Sequence, residues 1–164
     1  MSSRSSARRF DKLSVHDPQL MYNACMTARQ LLLPRLLIGA VLFFNLQCAL
    51  AFLWHPALYT AGFGLPPGAA GRAMLRGLGL LFVMWNVPYA FALSHPLRRR
   101  AALIEALLMQ AIGLLGESLI LITGGFAGTL IAATLRRFIL FDAAGLLLLA
   151  LAFALVARAR RAAA

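Results

Sequence analysis

Acidic residues are what this sequence has least of. Five Asp and Glu stand against sixteen Lys and Arg in 164 residues, for a formal charge of +11. Lysine is nearly missing as well, because Lys12 is the single Lys and the rest of the basic set is Arg. There are two cysteines, Cys25 and Cys48, and three histidines, His16, His55 and His95. No CxxC or Cys/His spacing occurs, so a zinc site is not expected and both thiols are read as free. No two histidines share an apolar run, which argues against bis-His haem ligation within the chain. A P-loop, a dinucleotide fingerprint and a Ser/His/Asp set are missing too. The balance is against an enzyme. No cofactor or metal is expected, and bound lipid is the one ligand these absences leave open.

Apolar residues are what the sequence has in excess. They make up 62% of the chain, and the mean hydropathy is +0.81. Soluble domains hold about 45–50% apolar residues. So short a chain has too little interior to hide this surplus, and lipid must be its solvent. In a soluble protein the strong positive charge would suggest nucleic acid. Here the basic residues flank apolar runs, where they set topology and touch anionic headgroups. Membrane lipids are therefore the expected partners, and nucleic acid is not.

The expected fold is all-α: an integral membrane four-helix bundle with an N-terminal amphipathic interfacial helix. Apolar runs at 36–54, 74–94, 102–123 and 138–156 are each about 19–22 residues, enough for about 30 Å of hydrocarbon. Residues 1–35 read as a polar tail followed by the amphipathic helix. Asp17-Pro18 supplies an N-cap and a proline at N1, and Leu20, Ala24, Thr27, Ala28 and Leu31 form its stripe. Pro34 is expected to kink that helix or part it from the first span. Residues 158–164 form a basic tail. Trp54, Tyr59 and Phe63 cluster after the first span as an interfacial belt does. The loop HPALYTAGFGLPPGAAGR is expected to be irregular, with a turn near Pro66-Pro67-Gly68. The start of the fourth span is the least fixed boundary. A helix beginning near Thr129 would carry Arg136 and Arg137 into the bundle.

Charge sets the expected orientation. With both termini in the cytoplasm, twelve basic residues lie inside and four (Arg72, Arg76, Arg136, Arg137) outside. The positive-inside rule then gives a multi-pass protein with N-in and C-in. The heavy use of Arg, Ala and Leu resembles the codon bias of a GC-rich bacterial genome, so the expected membrane is a bacterial inner membrane.

Polar side chains within spans are expensive and usually face a bundle interior. Here they are Asn45, Gln47, Asn86, Gln110, Glu117 and Asp142. Gln110, Gly113 and Glu117 share one face by spacing, with Gly113 and Gly116 allowing close helix approach. Gly79, Val83, Asn86 and Ala90 share another, and Asp142 and Gly145 a third. Arg76, Arg136 and Arg137 enter the same half of the bundle as Glu117 and Asp142. The structural expectation is a clamp, with Arg136 or Arg137 on Glu117 and Arg76 on Asp142. The functional one is a proton or anion site with Glu117 protonatable. The clamp is preferred, since pairing alone accounts for the residues. Gln47 lies about 200° around the helix from Asn45, so it is expected to point outward toward another chain.

Between Leu36 and Arg100 the chain carries Leu58-Tyr59-x-x-Gly62, Pro66-Pro67 and Arg76-Gly77-x-Gly79. This stretch resembles small bacterial four-span proteins of the DoxX-like group, whose outer loop has a similar tyrosine, glycine and proline pattern before a Gly-rich second span. The resemblance implies a four-helix bundle of the bacterial inner membrane, in a group largely without assigned chemistry. The family's acidic position near the second span has no match here, so no functional residue carries over.

The leading expectation is a non-catalytic accessory or assembly subunit of a larger bacterial membrane complex, an energy-transducing one among the candidates. The alternative is a small transporter or channel-like protein with a charged cavity lined by Arg76, Asn86, Glu117, Arg136, Arg137 and Asp142. A membrane enzyme acting on lipid or quinone near His55 and Tyr59 ranks third.

Overall fold

The computed structural model describes the backbone from Pro18 to Ala162 and side chains from Gln30 to Arg161. The expected tail at 1–17, with its basic residues and His16, lies outside the described residues, as does the stripe of the amphipathic helix up to Ala28. All regular structure among the described residues is helical. Helix α1 covers Pro18–Trp54, α2 Ala69–Trp85, α3 Val87–Ser94, α4 Arg100–Thr123 and α5 Leu130–Ala162. Four stretches are long and apolar enough to cross a membrane: Gln30–Trp54, Ala69–Ser94, Arg100–Thr123 and Leu130–Arg161.

The helix boundaries follow from local chemistry. Pro34 lies inside α1 without ending it, so the expected separate interfacial helix is continuous with the first span. Two short 3-10 turns, Pro56–Leu58 and Ala61–Phe63, give order to the first loop where an irregular path was expected. The second span is broken. Pro88 has no N–H to offer Met84, so the ladder is interrupted at Asn86 and α3 restarts beyond it. The Asn86 side chain adds a bond at the break, donating from Nδ2 to the Phe82 carbonyl at 2.6 Å beside the Asn86 backbone N–H.

Helix α4 stops at Gly124-Gly125, where Gly125 takes a φ of 64° that a side chain would disfavour. Helix α5 starts eight residues before the expected 138, because Thr129 caps it. The Thr129 hydroxyl accepts the Ala132 N–H at 3.3 Å. Its 33 residues reach about 50 Å, longer than the hydrocarbon alone requires.

The bundle is antiparallel and layered along its length. At the end nearest the basic C-terminus, Ile38, Val41, Ala92, Leu103, Ala106, Leu149, Ala152 and Val156 form a dry core. At the far end Phe52 is the hub of an aromatic cluster. Its ring lies 5.1 Å from Tyr59, 5.4 Å from Phe63, 5.9 Å from Phe82 and 6.3 Å from Phe138. The polar side chains of the spans sit between these two layers. Outward faces are apolar, with Leu36, Phe43, Leu80, Met84, Leu115, Ile122, Leu140 and Leu147 exposed as lipid-facing residues are.

Candidate functional site

The middle layer encloses a chamber of about 80 Å³ lined from all four spans. Asn45 and Cys48 come from α1, Phe82 and Trp85 from α2, and Tyr89 from α3, with Asn86 at the break between them. Met109, Gln110 and Glu117 come from α4, and Phe138, Phe141 and Asp142 from α5. A cavity of this size, mostly apolar with a few polar groups on its wall, has room for water or a small ligand.

Two helices meet through a reciprocal arrangement. Asp142 of α5 lies over Gly113 of α4, and Gln110 of α4 lies over Gly145 of α5; a Cβ on Gly145 would come within 2.6 Å of Gln110 Nε2. Each glycine makes room for the polar side chain of the other helix. Gln110 then donates from Nε2 to Asp142 Oδ1 at 2.9 Å. The Tyr89 hydroxyl lies 2.7 Å from Gln110 Oε1 and 3.2 Å from the Ala106 carbonyl. Its one proton serves the shorter bond best. A chain of donors thus runs Tyr89 to Gln110 to Asp142 across three helices and ends on a carboxylate.

Two buried oxygens on the chamber are left over. Asn86 Oδ1 and Glu117 Oε2 have no hydrogen-bond partner among the described residues. Asn86 is 4% exposed, so its free carbonyl is cut off from bulk solvent. A buried polar atom with no partner is costly and calls for an explanation.

The structure brings together three of the six site residues expected from sequence: Asn86, Glu117 and Asp142. It does not bring the arginines to them. Arg76 is exposed, and its Nε donates to the Leu53 carbonyl at 3.4 Å, near the end of α1. Arg136 is exposed. Arg137 lines a second hollow of about 340 Å³ with Tyr59, Gly62 and Thr134, separated from the chamber by Cys48 and Phe138, which face both. No Arg–carboxylate ion pair forms among the described residues, and the acid chain closes on Gln110 instead. The expected clamp is therefore absent there. The expected pairs, Arg136 or Arg137 on Glu117 and Arg76 on Asp142, fail because the arginines turn elsewhere: Arg76 reaches the Leu53 carbonyl, Arg136 and Arg137 stay exposed, and Asp142 accepts from Gln110.

Other expectations divide. Gln47 is exposed and Asn45 half-buried, on opposite sides of α1 as the spacing required. Gly113 meets its neighbour closely, whereas a Cβ at Gly116 would meet nothing. Val83 and Ala90 are exposed, because the break at Asn86 turns the buried face onto Gly79, Asn86 and Tyr89. His55 is exposed and away from both cavities, while Tyr59 lines the second. Sequence reasoning missed Tyr89 and the aromatic wall of Phe82, Trp85, Phe138 and Phe141. The wall carried no signal, since aromatics in an apolar run look alike. For Tyr89 the clue was Pro88, which marks the break that sets the tyrosine facing inward.

Four helices long and apolar enough to cross a membrane, packed as one bundle around a polar layer, define an all-helical class with the make-up of a multi-pass membrane protein. Compared with protein-family models, curated proteins and solved structures, the chain matches none.

Proposed function

We propose that the chain is a small transporter that carries positive charge, a proton or a cation, through the acidic chamber at mid-bundle. One observation carries this reading: Glu117 and Asp142 converge on a single cavity with no arginine on its wall. A purely structural pair of intramembrane acids would be neutralised by basic partners. These acids are left to a relay of neutral donors, which suits a site that must gain and lose a positive charge.

The test is flux. The full chain is reconstituted in lipid vesicles that contain a pH-reporting dye, and a potassium diffusion potential is applied. Wild-type vesicles should show potential-driven proton movement above protein-free vesicles. The variant Glu117→Gln with Asp142→Asn should lose it while remaining folded. Undiminished flux in that variant would sink the reading.

A second reading, an accessory subunit of a larger membrane complex, is favoured by Gln47, a mid-helix amide that is exposed. Such a group in lipid wants a hydrogen-bond partner. Mass spectrometry of chains that copurify in mild detergent would test it, with Gln47→Leu releasing any specific partner.

We further infer a bacterial inner-membrane location with both ends cytoplasmic, on the strength of the Arg distribution. At that end Arg100, Arg160 and Arg161 surround a hollow of about 360 Å³, where the Arg100 guanidinium lies 4.9 Å from the Phe153 ring. Anionic lipid headgroups are its proposed occupants. Kinship with the DoxX-like group stays a proposal carried by the loop motifs alone.

A further inference from the structure

The chamber has a side opening. Helix α2 packs on α1 and has at most marginal contact with α4, whereas α3 packs on both α1 and α4. The break at Asn86 and Pro88 produces this difference, because it turns the second half of the span toward α4 and leaves the first half leaning away. A seam therefore runs between α2 and α4 in the half that holds Glu117. Trp85, 48% exposed, stands at this seam and also lines the chamber. Its ring stacks on Phe82 at 5.9 Å and an interplanar angle of 16°. The outward faces of α2 and α4 on either side are apolar, with Leu81, Met84, Ile112 and Leu115 exposed. Such a seam opens onto lipid.

The chemistry inside the seam is one-sided. The amide of Asn86 is engaged with the Phe82 carbonyl, that of Gln110 with Asp142, and the Tyr89 hydroxyl with Gln110. Both buried atoms on the chamber that lack a partner, Asn86 Oδ1 and Glu117 Oε2, are acceptors. A ligand that satisfies them must bring hydrogen-bond donors, and two carboxyl groups favour one that brings positive charge as well. The flanking rings of Trp85, Phe82, Phe138 and Phe141 suit the same ligand, since aromatic faces attract cations and accept apolar bulk. An anion would find carboxylates and no free arginine. Arg137 stands beyond Cys48 and Phe138 in the neighbouring hollow, an unfavourable approach for a cation, so the seam is the better route.

We propose that the chamber takes a small protonated organic amine, admitted sideways from the bilayer between α2 and α4. Its ammonium group sits between Glu117 and Asp142 and donates to Asn86 Oδ1, and its apolar part lies against Trp85 and Phe82. The proposal deepens the transporter reading and rests on it for the chamber being a ligand site.

Binding is measured on the full chain in detergent at neutral pH, with protein-free micelles as the blank. The background is Trp54→Phe, which leaves Trp85 as the reporter, since the sequence has two tryptophans. Three probes of similar shape are compared: benzylammonium, benzyl alcohol and benzoate. Benzylammonium should quench Trp85 saturably, and benzyl alcohol should bind at least about tenfold more weakly, with benzoate weaker still. Glu117→Gln should weaken benzylammonium by about tenfold or more, while Arg137→Gln should not weaken it.

Equal binding of the alcohol, or better binding of benzoate, would overturn the proposal without recourse to any variant. So would a Glu117→Gln protein that melts like the wild type and binds benzylammonium as tightly. Proton flux in vesicles without amine binding would end this proposal and leave the transporter reading standing. Amine binding without flux of proton or amine would do the reverse.

Discussion

Gln110 is the residue through which the polar layer is held together. Its oxygen accepts from Tyr89 and its nitrogen donates to Asp142, so one side chain joins α3, α4 and α5. Gln110→Ala would leave Asp142 Oδ1 without its donor, turn the Tyr89 proton to the Ala106 carbonyl, and open space over Gly145. The expected loss is about 1–3 kcal/mol, read as a lower unfolding midpoint in detergent. Phe52 plays the corresponding role in the aromatic layer, where it is 2% exposed and in ring contact with residues of α2, α5 and the first loop. Phe52→Ala should cost about 3–5 kcal/mol by the same measurement, with little effect on Glu117. Glu117→Gln differs from both. It keeps shape and removes charge, so the account expects a normal melt and a lost activity.

The second span is where the sequence and the structure diverge most at the scale of elements. Four apolar runs, their order and the layer of polar residues were legible, because helix length and hydropathy are read directly from the residues. The reciprocal pairing of α4 and α5 was half legible: Gln110-x-x-Gly113 and Asp142-x-x-Gly145 repeat one spacing, but only the packing shows that each polar group covers the other helix's glycine. The break at Asn86 was not read, because a proline inside an apolar run says that hydrogen bonds are lost and not which way the helix turns. The start of α5 was left open between 138, where the apolar run begins, and Thr129, and the Thr129 hydroxyl that caps the helix decides for the earlier start.

Pro88→Ala tests the break itself. It restores the missing N–H, and should raise the unfolding midpoint while closing the seam, seen as a blue shift of Trp85 emission and a slower flux. Gly79 tests the other side of α2. A Cβ there would come within 2.9 Å of the Ala49 carbonyl on α1, a backbone atom that cannot swing aside. Gly79→Val should separate α1 from α2 and cost about 1–3 kcal/mol.

For the whole molecule, the dry core and the aromatic cluster cap the polar layer from either end. Under the proposed transporter reading, that arrangement would hold the acidic chamber away from both membrane surfaces and make the lateral seam its access. Arg76, Arg136 and Arg137 are exposed rather than turned onto the acids, and this is why the expected clamp dissolved into two separate features. The proposed orientation rests on the same distribution. Of single cysteines placed at Ala61 and at Arg98, in a chain with Cys25 and Cys48 replaced, a membrane-impermeant maleimide should label Ala61→Cys in intact cells and Arg98→Cys only after the cells are permeabilised.

The central claim is that the acids act independently of the arginines. The most direct measurement is potential-driven proton flux in vesicles, compared among wild type, Glu117→Gln and a chain with Arg76, Arg136 and Arg137 all changed to Gln. The account predicts that Glu117→Gln abolishes flux and that the chain lacking these three arginines folds and retains it. A triple-arginine variant that fails to fold, beside a Glu117→Gln chain with full flux, would contradict it and restore the clamp.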